Sequence, residues 1–156
     1  MFRTVVWATD GSVTADEALP LAKAVLEEGG RLVVVHSEEL MVGRGAGFPV
    51  LADEEELGAK ITAQVAELEA EGLNTSFKLV KGASAHAAHM IADVARKLEA
   101  DVIVAGTRGH GLIAGLIVGS VTQRLLHIAP CPVLVVPTAK QRMKQTGARD
   151  HAAVAS

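Results

Sequence analysis

The residues whose types and spacing suggest chemistry lie between Gly106 and Thr122. Gly106 and Gly109 follow an apolar run typical of a buried strand, and glycine there lets a ligand approach the backbone closely. Residues 119–122 (Gly-Ser-Val-Thr) then begin a predicted helix, whose free N–H groups, hydroxyls and positive dipole end attract phosphate. By local chemistry alone, a glycine-rich loop that only turns the chain, with Ser120 as an ordinary helix cap, explains these residues equally well.

Apolar runs rich in Val and Ile alternate along the chain with segments of helical periodicity, which predicts an α/β fold built from βαβ units. The predicted strands are residues 4–8, 31–36, 75–80, 101–105 and 133–136. The predicted helices begin at Thr14, where Glu17 completes a capping box, at Asp53 with Glu56, at Ser84 and after Gly119. They end near Gly29 and Gly30, near Gly72, at Leu98 and at about Ile128. The glycine segment therefore follows the carboxyl end of a strand, where ligands of open α/β sheets bind.

Length, composition and charge narrow the class of protein. A chain of 156 residues fits one domain, and we expect a folded domain over residues 1–138 and a polar, disordered tail over 139–156. The formal net charge of −3 argues against nucleic acid and against an anionic membrane surface as partners. The single cysteine, Cys131, allows no internal disulfide, and no apolar run is long enough to span a bilayer, so we expect a cytoplasmic protein.

Other catalytic and cofactor motifs fit the sequence less well. Residues 109–114 match the dinucleotide pattern G-x-G-x-x-A, but they follow the fourth strand, and the next strand ends without an acidic residue for a ribose. No Lys-Ser or Lys-Thr follows the glycines, as a P-loop requires. The segment around Ser120 lacks the second glycine of a nucleophile elbow, which favours a helix cap or phosphate donor. For His86 and His89, spacing places no third metal ligand, so we assign them to the helix surface or to packing.

The spacing Gly106-x2-Gly109-x9-Gly119-Ser120 resembles the glycine signature of the nucleotide-binding branch of the universal stress protein family. Three further segments are similar to that family: residues 5–12 (VVWATDGS) at the opening strand and its acidic turn, residues 81–84 (KGAS), and residues 131–137 (CPVLVVP) at the closing strand. The resemblance implies a single-domain, open parallel sheet of five strands in the order 3-2-1-4-5, with helices on both faces. It also implies a nucleotide over the carboxyl ends of strands one and four, where a doubly wound sheet reverses direction.

Family membership further implies a site built from three parts of the chain. The phosphates and ribose are surrounded by Gly106, Thr107, Gly109, Gly119, Ser120, Val121 and Thr122. Arg108 reaches phosphate or a neighbouring subunit, or is simply solvated. Asp10 faces the nucleotide and a phosphate-bound Mg2+, or else only forms the turn before Gly11 by bonding its own backbone. Thr9 lies nearby, and Ser37 or His36 borders adenine.

The expected function is binding of ATP, or of AMP or ADP, in stress response or signalling. Hydrolysis is slow or absent, because the sequence shows no convincing general base. The resemblance also implies a homodimer in which residues 133–136 pair between subunits and cover an edge that otherwise favours aggregation. The apolar segment 112–118 then packs beneath the site or against a partner chain. Two alternatives are a nucleotide-free dimeric protein-interaction module and an adenylate-forming or nucleotide α-hydrolysing enzyme on a related fold.

Overall fold

The computed structural model describes residues 1–39, 49–82, 86–107 and 118–139. The elements there are β1 (Phe2–Thr9), α1 (Val13–Asp16), α2 (Leu19–Val25), β2 (Leu26–Glu39), α3 (Pro49–Ala70), β3 (Asn74–Gly82), α4 (Ala87–Lys97), β4 (Val102–Gly106), α5 (Ser120–Ile128) and β5 (Val133–Val136). The strands form one parallel sheet in the order β3-β2-β1-β4-β5. The predicted fold class and strand order are confirmed. The predicted cap Ser84, most of the apolar segment 112–118 and the tail from residue 140 lie outside the described residues.

The sheet buries apolar side chains on both faces, as a parallel sheet between two layers of helices must. On one face the fully buried Trp7 belongs to the same cluster as Ile61 of α3. On the other face Val6 clusters with Ile91 of α4 and Leu125 of α5. Successive residues of β1 therefore point into different layers, which fixes the register of the central strand and the level at which it ends.

The predicted capping box at Thr14 and Glu17 is wrong. The N-cap of α1 is Ser12, whose Oγ accepts a hydrogen bond from the Ala15 N–H at 3.2 Å. Thr14 lies inside the first turn of the helix, with its hydroxyl 2.9 Å from that of Ser12. Glu17 is the C-cap of the short α1, and its carboxylate accepts a hydrogen bond from the Ala139 N–H at 2.6 Å. The helix begins earlier because a turn held by Asp10 brings Ser12 into the capping position.

The first helical region was predicted to end near Gly29 and Gly30, and this is also wrong. Helix α2 ends at Val25, and β2 begins at Leu26. Leu26 pairs with Phe2, but Thr4 pairs with Arg31, so the two strands are irregular between these pairs. Gly29 lies in that irregular stretch with φ +73°, a left-handed conformation that favours glycine. The glycine that suggested a helix end thus serves an irregularity of the following strand.

The longest helix, α3, spans 22 residues and begins at Pro49, before the predicted start at Asp53. Proline is well tolerated in the first turn of a helix, where its missing N–H has no intrahelical partner to lose. Its apolar stripe of Ile61, Val65 and Leu68 packs on the sheet with the spacing of one helix face. Across the described residues, no helix combines the length and apolar character needed to cross a membrane.

Candidate functional site

The carboxyl ends of β1, β2 and β4 lie side by side at one edge of the sheet. Ala8 of β1 pairs with Val35 of β2 on one side and with Ala105 of β4 on the other. One residue further along, Thr9 pairs with His36. Because the chain leaves β1 in one direction to reach β2 and returns to its other side with β4, this edge is the topological switch point. The predicted residues that the structure brings to these strand ends are Thr9, Asp10, His36, Ser37, Gly106 and Thr107.

A tight turn after β1 carries the predicted carboxylate. Asp10 Oδ1 accepts two hydrogen bonds from Ser12, one from its backbone N–H at 3.0 Å and one from its hydroxyl at 2.6 Å. Thr9 Oγ1 accepts a hydrogen bond from the Gly11 N–H at 3.1 Å. Gly11 has φ +74°, so the turn uses a backbone conformation that favours glycine. The Asp10 carboxylate therefore forms the turn by accepting hydrogen bonds from Ser12, and these bonds hold it at the switch point of the sheet.

Helix α3 contacts this turn from outside the sheet. Lys60 Nζ donates a hydrogen bond to the carbonyl oxygen of Gly11 at 2.6 Å and another to Asp16 Oδ2 at 2.7 Å. Gln64 Nε2, one helical turn further on, donates to Asp16 Oδ1 at 3.0 Å. These contacts were not predicted from the sequence, because Lys60 is 49 residues from Gly11 and its place in the pattern is typical of the exposed side of an amphipathic helix.

Two polar side chains of β2 lie at the same edge of the sheet and differ in their hydrogen bonding. His36 is only 3% exposed, and its Nδ1 lies 3.0 Å from the carbonyl oxygen of Thr9, so Nδ1 carries the proton and donates. Ser37 Oγ is buried and, like Gln64 Oε1, has no hydrogen-bond partner among the described residues. A buried hydroxyl without a partner costs free energy, because it gives up hydration and gains no bond in return. Ser37 is therefore suited to a hydrogen bond with a group beyond those residues.

The first turn of α5 lies at the end of β4. Gly119 is its N-cap and provides no side-chain hydrogen bond, so the interpretation of Ser120 as the helix cap is wrong. Ser120, Val121 and Thr122 are the first three helical residues, and their N–H groups have no acceptor within the helix. The first intrahelical donor is Gln123, whose N–H reaches the Gly119 carbonyl oxygen at 2.8 Å. A helix start without a side-chain cap favours an anion as its partner.

Backbone and side-chain bonds fix this helix start against the sheet. The Gly119 N–H donates to the carbonyl oxygen of Thr107 at 2.5 Å, and the Thr107 N–H donates to that of Val136 at 3.0 Å. The buried Thr122 hydroxyl donates to the carbonyl oxygen of Gly106 at 2.8 Å. The Thr122 hydroxyl proton is thus used inside the protein, and the donor that Thr122 keeps for a ligand is its backbone N–H.

The remaining predicted site residues divide into two groups. Ser120 is exposed and Val121 is half-buried against the α4 and α5 side of the core, so both lie in the first turn of α5 as predicted. Arg108 and Gly109 lie outside the described residues, and their roles stay predictions. Sequence reasoning missed Ser12 and Lys60. The signal for Ser12 was present, since Asp-x-Ser before a helical run is typical of an Asx turn followed by a cap.

A five-stranded parallel sheet of this order, covered by helices on both faces and carrying polar groups at its switch point, defines a Rossmann-like, doubly wound α/β protein. The chain belongs to the universal stress protein family, whose family model matches residues 1–137. The family resemblance of the glycine signature is thereby confirmed.

Three known proteins are similar to this chain along nearly their full length. A universal stress protein of Thermus aquaticus is 36% identical over 140 residues, which cover 87% of this chain and 99% of that protein. A solved structure of the hypothetical protein MJ0577 has a TM-score of 0.68 and 26% identity, covering 88% of this chain and 97% of that chain. A universal stress protein solved in complex with cAMP has a TM-score of 0.61 and 27% identity, covering 86% of this chain and 97% of that chain.

Proposed function

We propose that this protein binds an adenine nucleotide, ATP or its products ADP and AMP, over the carboxyl ends of β1 and β4. In this proposal the nucleotide-bound protein is the signal in a stress-response or signalling pathway of the cytoplasm, and hydrolysis is slow or absent. The observation that carries the proposal is the start of α5, which has no side-chain cap and is held beside the end of β4 by the Gly119 and Thr122 hydrogen bonds. Backbone N–H groups at a helix start bind phosphate through both hydrogen bonds and the helix dipole.

The phosphate end of the proposed site combines this helix start with the β4 end. Gly106, Thr107, Gly119, Ser120, Val121 and Thr122 are its described members, and Arg108 and Gly109 complete it in the proposal. The N–H groups of the first turn of α5 supply donors that do not depend on protonation. Such a site favours phosphate over a neutral ligand because the charge of the ligand meets the positive end of the helix dipole.

We propose that Asp10 contacts a Mg2+ ion bound to the phosphates. Mg2+ in nucleotide sites is held by one or two carboxylates together with phosphate oxygens and water, so one protein carboxylate suffices. Among residues 1–39, 49–82, 86–107 and 118–139, no three His, Cys, Asp or Glu side chains form a metal-binding group. Because the proposal gives the cation one carboxylate and the phosphate oxygens as ligands, we expect Mg2+ to bind with the nucleotide rather than before it.

The adenine end of the proposed site lies at β2. Ser37 Oγ, buried and without a partner among the described residues, is suited to a hydrogen bond with a ring nitrogen of adenine. Thr9 lies on the neighbouring strand, opposite His36. The relative solved with cAMP supports an adenine nucleotide as the ligand class, since that protein carries the same fold at 27% identity.

Slow turnover follows from the groups near the proposed phosphates. Asp10 Oδ1 already accepts two hydrogen bonds from Ser12, and the His36 Nδ1–H donates to a backbone carbonyl. A general base needs an acceptor within hydrogen-bond reach of the attacking water, directly or through one further water. We assign the role of general base to none of the described residues at this edge, so we propose nucleotide binding rather than hydrolysis as the function.

The test begins with the small molecules that leave the purified protein on denaturation, identified by mass spectrometry. Calorimetric titration with ATP, AMP and cAMP, each with and without Mg2+, and with GTP as a base control, then defines the ligand. We expect adenine nucleotides to bind and GTP to bind more weakly. Absence of any bound or titratable adenine nucleotide would favour the nucleotide-free interaction module and overturn the proposal.

Substitutions at Gly119 can distinguish an effect on folding from an effect on nucleotide binding. Its φ of −68° and ψ of 157° are accessible to any residue, and Asp or Asn at an N-cap normally stabilises a helix. Gly119→Asp places a carboxylate at the proposed phosphate position, whereas Gly119→Asn places a neutral cap of the same shape there. We expect both variants to keep or raise the thermal midpoint, and the Asp variant to lose nucleotide binding far more than the Asn variant. Equal affinities in Gly119→Asp and wild type would mean that the phosphates do not lie at α5.

A further inference from the structure

The Gly11–Ser12 peptide group joins helix α3 to the candidate carboxylate. Its carbonyl oxygen accepts a hydrogen bond from Lys60 Nζ at 2.6 Å, and its N–H donates to Asp10 Oδ1 at 3.0 Å. The described peptides include no cis bond, so the two hydrogen bonds leave opposite sides of one planar unit. Rotation of this unit would break both bonds together. The direction of the Lys60 bond therefore sets the direction of the donor that holds Asp10.

We propose that Lys60 is a positioning residue for the nucleotide site. By holding the Gly11 carbonyl oxygen, it orients the peptide whose N–H fixes the carboxylate of Asp10. The ammonium also polarises this peptide, which strengthens the N–H bond to Asp10. This inference rests on the proposed function, because only there is Asp10 assigned to the nucleotide and its Mg2+.

The conformation of Gly11 explains why the turn needs support from another element. Glycine populates left-handed and right-handed regions about equally, so φ +74° is one of several conformations open to it. Helix α3 lies against Gly11 at two positions one turn apart, and the bond from Lys60 holds the glycine backbone. Lys60 bonds the Gly11 carbonyl, and Leu57 lies so close that a Cβ on Gly11 would be 2.7 Å from its Cδ2.

The ion pair that Lys60 makes with Asp16 is a weaker explanation for its placement. The Lys60 side chain is 41% exposed and that of Asp16 is 26% exposed, and pairs with such exposure contribute little to stability. The two bonds make separable predictions. A purely electrostatic role requires Asp16, whereas a positioning role requires the bond to Gly11.

Three substitutions separate these roles. Lys60→Met removes the ammonium and keeps an unbranched side chain, while Asp16→Asn removes the charge partner and leaves the Gly11 bond available. Lys23→Met is the matched control, because Lys23 forms a partly exposed ion pair with Glu71 just beyond the far end of the same helix. Thermal melts establish that each variant is folded before binding is measured.

The first readout is the affinity for ATP with Mg2+. We expect Lys60→Met to weaken binding about tenfold, the scale of one charge-assisted hydrogen bond, and Asp16→Asn and Lys23→Met to change it less than about twofold. In an Asp10→Asn background, Lys60→Met should cause no further loss, since both act through the same carboxylate. A loss in Asp16→Asn as large as that in Lys60→Met, or an unchanged Lys60→Met, overturns the inference.

The second readout needs no nucleotide. The Ser12 amide, observed in a proton–nitrogen NMR spectrum, should shift and exchange faster with solvent in Lys60→Met and stay unchanged in Lys23→Met. An unchanged Ser12 amide in Lys60→Met overturns the inference even if the wild-type protein binds ATP. A wild-type protein that binds no adenine nucleotide overturns the proposed function instead, and the two failures are thereby distinguished.

Discussion

Asp10, Gly11 and Ser12 form a turn in which each residue has a different structural role. Asp10 accepts two hydrogen bonds, Gly11 adopts φ +74°, and Ser12 both donates to Asp10 and caps α1. An Asp-Gly pair after an apolar strand predicts a turn, and it did so here. The Ser12 cap and the Lys60 contact depend on how the turn folds and on a helix distant in sequence, so local patterns favoured Thr14 instead.

Gly11→Ala should destabilise the protein. A left-handed conformation costs a non-glycine residue about 1–2 kcal/mol, and the new Cβ would lie 2.7 Å from Leu57 Cδ2, which has to move. We expect the free energy of unfolding in urea to fall by about 1–3 kcal/mol. Gly58→Ala is the control, because a Cβ there meets no atom within 4 Å and alanine favours the helix. Similar losses in both variants would contradict this account of Gly11.

Cys131 offers a prediction with a pH dependence. Burial raises the pKa of its thiol above the ordinary value, the charge of Asp101 acts in the same direction, and a backbone hydrogen bond at Ile103 opposes them. Because the thiolate is the reactive form, the folded protein should be alkylated by iodoacetamide with a pH–rate profile displaced to higher pH than in urea. The raised pKa also contributes stability that is complete below the unfolded pKa and is lost as pH rises through the folded one. Superimposable profiles in the folded and unfolded protein would refute the prediction.

At the scale of elements, strands were easier to predict than helix ends. The predicted fifth strand, residues 133–136, matches β5, and the apolar runs of β1 and β4 were also found. Strand order came from the family resemblance, since apolar runs alone do not say which strands are neighbours. The start of α5 was placed correctly at Ser120, but its cap is Gly119. Glycine at a cap leaves no side-chain signal, so the sequence predicted the free N–H groups of the first turn but not which residue is the cap.

The connection from β4 to α5 depends on the Thr122 hydroxyl. Thr122→Val keeps the shape but leaves the buried carbonyl oxygen of Gly106 without this donor, which costs about 1–3 kcal/mol. Thr122→Ser keeps the hydroxyl and loses one methyl group, worth about 0.8 kcal/mol. We expect both variants to be less stable in urea but only Thr122→Val to bind adenine nucleotide more weakly, because only there does the start of α5 lose one of its two hydrogen bonds to the end of β4. Equal nucleotide affinity in the two variants would show that this bond does not position the helix.

At the scale of the whole molecule, the two edges of the sheet differ in charge. The β3 edge carries Lys78 and Lys81, and lysines on an edge strand discourage pairing with another chain. The β5 edge consists of Val133, Leu134, Val135 and Val136, without a charge. An apolar edge of this kind favours pairing with a second copy of the chain, so the homodimer that the family resemblance implies is expected to form through β5 rather than β3.

Hydrogen bonding within the sheet shows which residues of β5 bond to β4. The Ile103 N–H donates to the carbonyl oxygen of Pro132 at 2.9 Å, and the Thr107 N–H donates to that of Val136 at 3.0 Å. Because alternate residues of a strand bond to the same side, Val133 and Val135 direct their N–H and C=O groups to the outer edge. A change confined to those groups should affect pairing between subunits and spare pairing with β4.

Val135→Pro removes one such outward N–H, and proline is tolerated on an edge strand where the missing N–H would not serve the sheet. We expect the wild-type protein to sediment as a dimer, the Val135→Pro variant to sediment as a monomer across a concentration series, and circular dichroism of the variant to retain the α/β spectrum. Val135→Thr, which keeps the N–H and the β-branched shape, should remain dimeric. A monomeric wild-type protein would contradict the homodimer, whereas a dimeric Val135→Pro variant would move the interface to another surface. Since the Thr107 N–H bonds to Val136, loss of the second subunit should also loosen the end of β4 and weaken nucleotide binding in the monomeric variant.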